Sequence, residues 1–188
     1  MIQNKPITFN IFHRALLHSF NPLIYMSCDT SKELDVLNEK VRTQLILKSS
    51  QLRKNKQSRT MTLDSVQDAV KSVFNGELVT RAHNEGIGSI NYYKNDHKCS
   101  VIVGSILKQM KKMHKIIEEI DVYKRIQDEA LVYLMGCLNY LMSEIIEVGV
   151  DKTLTSKKKT LTKAHLQQGI EDDKELKLLF DTINKKIV

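Results

Sequence analysis

The 188-residue sequence contains no tryptophan, only two prolines and only seven glycines. Turn-rich β architectures are built on Gly and Pro, so this scarcity argues against them. Met, Leu, Ile, Lys and Glu are plentiful instead, and the composition points to an all-α chain. Cysteine is sparse as well. Cys28, Cys99 and Cys137 are odd in number, widely spaced and form no C-x-x-C pair, which excludes a disulfide framework or zinc knuckle and leaves reduced, mostly buried thiols. His97 and Cys99, in NDHKC, could supply half of a metal site, but no second pair stands near in sequence, and no metal is expected.

No apolar run reaches the roughly 18 to 20 residues needed to cross a bilayer. The opening MIQNKPITFNIFHRALLHSF carries an apolar stripe broken by His13, Arg14 and His18. It has neither a signal-peptide core nor a small-residue cleavage site. Enzyme signatures are missing too: no phosphate-loop glycine motif, no H-E-x-x-H and no nucleophile elbow. No catalytic residue, cofactor or small-molecule substrate is therefore expected, and His165 in KAHL reads as structural.

What is present is positive charge and apolar residues. Lys and Arg number 29 against 22 Asp and Glu, a net charge of +7. Such a surplus attracts polyanions, nucleic acid first and an anionic membrane surface second, with a basic protein lacking any charged partner as the plain alternative. With 41% hydrophobic residues the chain can bury a core, so wholesale disorder is excluded.

The apolar pattern occurs twice, offset by 100 residues. Leu16, Leu17 and Phe20 answer to Ile116, Ile117 and Ile120; Leu34, Val41 and Leu45 answer to Leu134, Leu141 and Ile145. QSRTMTLDSVQDAV in the first half answers to KKKTLTKAHLQQGI in the second, each with basic residues before Thr-apolar-Thr. A repeat this long, seen twice, means two copies of one supersecondary unit.

Periodicity parses each copy. Phe9, Phe12, Leu16, Leu17 and Phe20 mark a short helix near residues 8–20, stopped at Asn21-Pro22. Leu34, Leu37, Val41, Leu45 and Leu52 mark a long helix over about 29–55, roughly 40 Å at ~1.5 Å per residue. Thr62 is the expected N-cap of a third helix through Val66, Ala69, Val70 and Val73, with Asp64 suited to the dipole of its first turn. In the second copy Met113, Ile116, Ile117 and Ile120 mark the short helix. Leu131, Leu134, Leu138, Leu141, Ile145 and Val148 mark the long one, and Thr162 caps a third carrying Leu166 and Ile170. Trailing helices are expected over 77–93 and 174–183. The expected division is a first copy over 1–95, a connector over 96–104 and a second copy over 105–188. A long helix flanked by two short ones has little core of its own and buries its stripe only against another such unit.

This short–long–short pattern resembles the histone fold. NGELVTRAHNEGIGSINYY, residues 75–93, is similar to the end of histone two-B, and SRTMTLDSVQDAV to its second loop and third helix. From about Ser105 onward the chain resembles histone two-A, most closely in LVYLMGCLNYLMSEIIEV and TKAHLQQGIEDDKELKLLF. The likeness covers nearly the whole chain, strongest in the third helices. The fused order resembles the histone doublets of large DNA viruses. It implies two tandem histone folds paired in an intramolecular handshake that bind and bend double-stranded DNA and package it with a histone three/four-type partner. The implied location is the virion interior, with the host nucleus or viral factory during infection, and otherwise chromatin. A histone-fold regulator that binds DNA or protein without wrapping is the alternative.

The resemblance also assigns residues. In the family, loop one of each fold lies beside loop two of its partner and faces phosphates, with arginines entering the minor groove. On this chain the DNA-facing set is Ser27, Lys56, Arg59, Thr60, Lys112, Lys115, Arg125, Lys157, Lys158, Lys159 and Thr160. Arg125 keeps a family arginine and is the first choice for the groove. Ser58 and Thr160 stand where the family has arginine, Asp29 where it has lysine, and Glu118 where a basic residue is usual. Loop two of the second copy is therefore expected to cradle phosphates. An acidic patch that docks basic peptides matches Glu77, Glu85, Glu144, Glu147, Asp173 and Glu175, interrupted by Asn139 and Lys174. Read alone, each of these charges is equally a solvated helix face. The first helix begins near Met1 and the sequence stops at Val188, so neither a long basic tail nor the family's docking extension is expected.

Overall fold

A computed structural model describes residues 10–55, 58–95, 100–120 and 125–186. The first copy contains α1 (Asn10–Phe20), β1 (Tyr25–Met26), α2 (Cys28–Asn55), β2 (Thr60–Met61), α3 (Leu63–Val73) and α4 (Gly76–Asn95). The second contains α5 (Ser100–Ile120), β3 (Arg125–Ile126), α6 (Asp128–Thr155), β4 (Thr160–Leu161), α7 (Lys163–Asp172) and α8 (Lys174–Lys186). The fold is predominantly helical, and each copy has the short–long–short order expected from its periodicity. The offset of 100 carries the bounds of β1, α2 and β2 onto those of β3, α6 and β4, and those of α3 onto α7 to within one residue.

Local chemistry sets these boundaries. After α1, the Leu23 N–H donates to Asn21 Oδ1 at 2.9 Å and the Ile24 N–H to the Asn21 carbonyl at 3.2 Å, a turn seeded by Asn-Pro. Thr62 and Ser65 form a capping box at α3: Thr62 Oγ1 accepts from the Ser65 N–H at 3.3 Å, and Ser65 Oγ from the Thr62 N–H at 3.2 Å. At α7 the same box is made by Thr162 and His165, with both contacts at 3.4 Å. Each cap contributes about 1 kcal/mol.

Two sequence expectations are corrected. The 96–104 stretch is not all connector, because α5 begins at Ser100. Ile102, Ile106, Met110, Met113 and Ile117 continue the stripe at spacings of three and four, and a single Gly104 costs a helix only about 1 kcal/mol. The membrane expectation also shifts. By length and composition α6 could cross a bilayer, yet 67% of its most apolar window is buried inside the protein. Ala130 through Leu138 are buried without a break, as in a helix that runs through a core.

The chain forms two compact units, and neither coincides with a sequence copy. The first joins the residues up to Glu39 with Met142–Lys177; the second joins Lys40–Leu141 with the residues from Leu178 onward. Each unit thus draws on both copies. In the first unit the buried residues include Leu17, Met26, Leu34, Ile145, Leu161 and Leu166. His13 on α1 is fully buried there, its Nδ1 3.8 Å from Asp35 Oδ1. Burial lowers its pKa, partly offset by the Asp35 charge.

In the second unit α4 crosses α6 closely. A Cβ on Gly136 would lie 2.5 Å from Ser89 Oγ and 3.0 Å from the Glu85 carbonyl oxygen, so only glycine fits. Tyr133 is fully buried beside this crossing, its hydroxyl 2.8 Å from His83 Nδ1. Cys137 Sγ donates to the Ala82 carbonyl at 3.2 Å. Burial pushes the Cys137 thiol up to about 12 and raises the Tyr133 phenol as well.

Candidate nucleic-acid interface

Among the described residues, four two-residue strands that the sequence did not foreshadow organise the loops. β1 pairs in parallel with β4, Tyr25 opposite Thr160 and Met26 opposite Leu161. β2 pairs in parallel with β3, Thr60 opposite Arg125 and Met61 opposite Ile126. Each bridge joins loop one of one copy to loop two of the other.

In the second unit, the Gln127 N–H donates to the Met61 carbonyl at 3.1 Å and extends the ladder. Gln127 Oε1 then accepts from the Leu63 N–H at 2.9 Å, so a residue of one copy satisfies the first free amide of the other copy's α3. Ser58 uses its hydroxyl locally, accepting from the Thr60 N–H at 3.2 Å. Beneath it, buried Arg53 donates from Nη1 to the Ser58 carbonyl at 2.9 Å. Pinned in this way, the loop presents Arg59 to solvent beside exposed Arg125, with Thr60 half-buried between the loops. Lys56 lies outside the described residues.

In the first unit, the Tyr25 N–H donates to the Lys159 carbonyl at 2.9 Å and the Ser27 N–H to the Leu161 carbonyl at 3.2 Å. The Leu161 carbonyl also accepts from Thr30 Oγ1 at 3.0 Å. That bond takes the only hydroxyl proton of Thr30, so Ser27 Oγ donates across the 2.7 Å contact to Thr30 Oγ1. Ser27 Oγ also accepts from the Thr30 N–H at 3.2 Å. Ser27 is therefore the N-cap of α2, and its hydroxyl is committed to that role.

Loop two of the second copy closes α6 differently. The Lys158 N–H donates to the Thr153 carbonyl at 3.0 Å and the Lys157 N–H to the Leu154 carbonyl at 2.8 Å. This is a Schellman motif, with Lys157 at φ 52° in the left-handed position that glycine usually fills. A non-glycine residue there costs about 1 kcal/mol. The turn sets Lys157, Lys158, Lys159 and Thr160 in a row of exposed residues. The acids at the start of α2 are already matched, Asp29 by Lys32 at 3.3 Å and Glu33 by Lys163 at 2.8 Å.

Lys112 and Lys115 are exposed on α5. Glu118, on the same helix, lies 3.2 Å from His114 Nδ1.

The expected acidic residues separate by role. In the second unit, exposed Glu77 is bonded to Arg81 at 2.8 Å. Glu85 is exposed along a shallow groove that also includes Gly88, Tyr92 and Asn139. In the first unit, Asp173 Oδ1 accepts from the N–H groups of Glu175 at 3.0 Å and Leu176 at 2.8 Å, which makes it a cap of α8. Glu147 is exposed there, and Glu144 and Glu175 are half-buried. Among the described residues, no three His, Cys, Asp or Glu side chains gather as a metal site. His97 and Cys99 lie outside them.

Sequence reasoning missed Arg53, Gln127, Thr30 and Tyr25. The repeat held a usable signal for one of them: position 25 corresponds to position 125, so Tyr25 occupies the place of Arg125.

Residues 109–170 match the family model of histone-like transcription factors (CBF/NF-Y) and archaeal histones. A histone two-A of Candida albicans is 37% identical over 71 residues, covering 37% of this chain and 54% of that protein. A histone two-A of Meyerozyma guilliermondii is 35% identical over 71 residues, 37% of this chain and 55% of that protein. One of Kluyveromyces lactis is 32% identical over 72 residues, 38% of this chain and 55% of that protein. The chain spans about half the length of the curated relatives it matches. These matches make the second half of the chain similar to histones.

Proposed function

We propose that this histone-like chain is a doublet, a two-B-like fold followed by a two-A-like fold, of the kind fused in large DNA viruses. Its two folds clasp each other in a handshake, and it serves as a structural, non-enzymatic packager of duplex DNA. The observation that carries this reading is the pairing of each loop one with the other copy's loop two, every pair displaying exposed basic side chains: Arg59 and Arg125 in one, Lys157, Lys158 and Lys159 in the other. Backbone amides, Thr160 and the cationic side chains are suited to phosphate oxygens, a mode of binding that reads little sequence. Lys112 and Lys115 add cationic surface on α5. Ser27 contributes as a cap that holds loop one. Fusion fixes a one-to-one ratio and makes the pairing intramolecular, at an effective concentration in the mM range for short linkers.

The partner in this reading is a histone three/four-type dimer or doublet, and the setting is chromatin or a virion interior. Basic peptides are further partners through the acids of either unit, Glu85 in the second and Glu144, Glu147 and Glu175 in the first; Glu77 and Asp173 contribute less, being engaged by Arg81 and by α8. Reconstitution on DNA with a three/four-type partner, followed by nuclease digestion, tests the reading. Protected fragments longer than ~100 base pairs are expected, on the scale of nucleosomal wrapping. Short footprints only would sink it. They would favour a second reading, a histone-fold regulator that binds without wrapping, which draws support from the transcription factors grouped in the matching family.

A further inference from the structure

The DNA-facing loop pair of the first unit carries two apolar side chains in the open. Leu23 is 74% exposed and Tyr25 is 69% exposed, while Ile24 and Met26 are buried. The alternation is that of an extended segment with one face inward. Leu23 is fixed by its N–H bond to Asn21 Oδ1, and Tyr25 by its N–H bond to the Lys159 carbonyl. A pinned backbone thus presents this pair beside three exposed lysines, 157 to 159, and opposite Thr160. Asp29 and Glu33, near the start of α2, are each engaged by a lysine and leave that cationic field in place. In the second unit the same register position, opposite Thr60, is held by Arg125.

We infer that Tyr25, with Leu23 beside it, is a non-ionic contact to duplex DNA, its ring set against deoxyribose and base edges of the minor groove where the other loop pair places the Arg125 charge. The inference rests on the DNA-binding reading and deepens it. Apolar side chains in the minor groove pack on sugars and wedge base steps. Sugars and the minor-groove edges of the bases vary little with sequence, so such a contact reads little of it. The lysines then supply the phosphate attraction and Tyr25 the groove contact. Arginine combines both tasks in one side chain in the second unit.

A gel-shift titration of the full chain on mixed-sequence duplex, repeated across a salt series, tests this. Tyr25→Ala is expected to weaken binding about tenfold, the scale of losing one aromatic interface contact, with the salt slope unchanged because no charge is lost. Tyr25→Phe should bind within about twofold of the parent, since the ring is retained. Tyr25→Arg should steepen the slope by about one, and Arg125→Ala should flatten it by about one, as expected for one phosphate-scale charge. The thermal melt of Tyr25→Ala should match the parent, because the side chain is exposed. Parent-like binding by Tyr25→Ala overturns the inference, as does a loss accompanied by a changed slope or a lowered melting temperature. If Tyr25→Ala instead leaves DNA binding intact and abolishes self-association in sedimentation, the pair is a protein contact and the inference fails. Failure of the parent chain to bind DNA at all would strike the underlying reading and is distinguishable from each of these.

Discussion

The two loop pairs share one backbone frame and are held by different chemistry. In the second unit, loop two is pinned from below by a buried guanidinium, Arg53 on the Ser58 carbonyl, and from the side by Gln127 on the first amide of α3. In the first unit the position equivalent to Arg53 is Thr153, whose Oγ1 lies 2.9 Å from the Gly149 carbonyl and 3.0 Å from His165 Nδ1. There the loop is held by a backbone Schellman turn and by the Ser27–Thr30–Leu161 hydrogen bonds. The outward faces differ as well. One shows arginines, which make planar, directed contacts, and the other shows lysines, which act as mobile point charges, with a tyrosine beside them. A two-residue parallel bridge therefore tolerates two ways of fixing a loop, provided its inward residue is apolar and buried.

That common requirement can be broken first. Met61 and Leu161 are the inward residues of β2 and β4, both fully buried. Truncating either to Ala is expected to cost about 2–5 kcal/mol in chemical denaturation, and a loss below about 1 kcal/mol at one of them would show that its bridge does not depend on the core beneath. The next effect separates the pairs. Arg53→Ala leaves a carbonyl without its charged donor and should cost about 1–3 kcal/mol, whereas Thr153→Ala should cost only about 1 kcal/mol. Equal losses would erase the distinction drawn between them. Smaller again are the caps: Thr62→Ala and Thr162→Ala should each cost about 1 kcal/mol, since each threonine hydroxyl accepts from the third backbone N–H of its helix.

The mildest test concerns pH and belongs to the first unit alone. His13 is buried, and its equivalent in the repeat is Met113. Burial lowers the His13 pKa below the 6.5 of a free imidazole, so below that pH the unfolded chain binds a proton before the folded one does. Stability from this residue is complete above about pH 6.5 and is lost as pH falls through the folded pKa. Thermal melts at neutral and mildly acidic pH should show a fall in the parent that His13→Met reduces; an unchanged fall would assign the acid sensitivity to other groups.

Much of this arrangement was legible in the chain, and the limits have physical causes. The 100-residue offset, the long helices and both threonine caps follow from spacing and local hydrogen-bonding chemistry. The start of α5 is masked in the chain by Gly104 and the polar stretch before it, although the apolar stripe runs on through Met110, Ile106 and Ile102. The exposed lysines at 157–159 and arginines at 59 and 125 were named from the sequence, and the structure places them on solvent-facing loops. Ser27 is expected at DNA from the sequence, and its capping of α2 was not legible there, because it depends on Thr30 bonding to a carbonyl of the other copy. Arg53 looked like one more surface charge in a basic run, and only its burial shows that it works inward.

Helical stripes and caps are decided within a few residues, so the chain alone marks the helices, most of their ends and the existence of two copies. Only the tertiary structure decided which loop meets which. Thr30 bonds to a carbonyl 131 residues away, and Gln127 caps a helix 64 residues earlier. A two-residue bridge carries no pattern of its own, so its partner is chosen by how the long helices bury their apolar stripes.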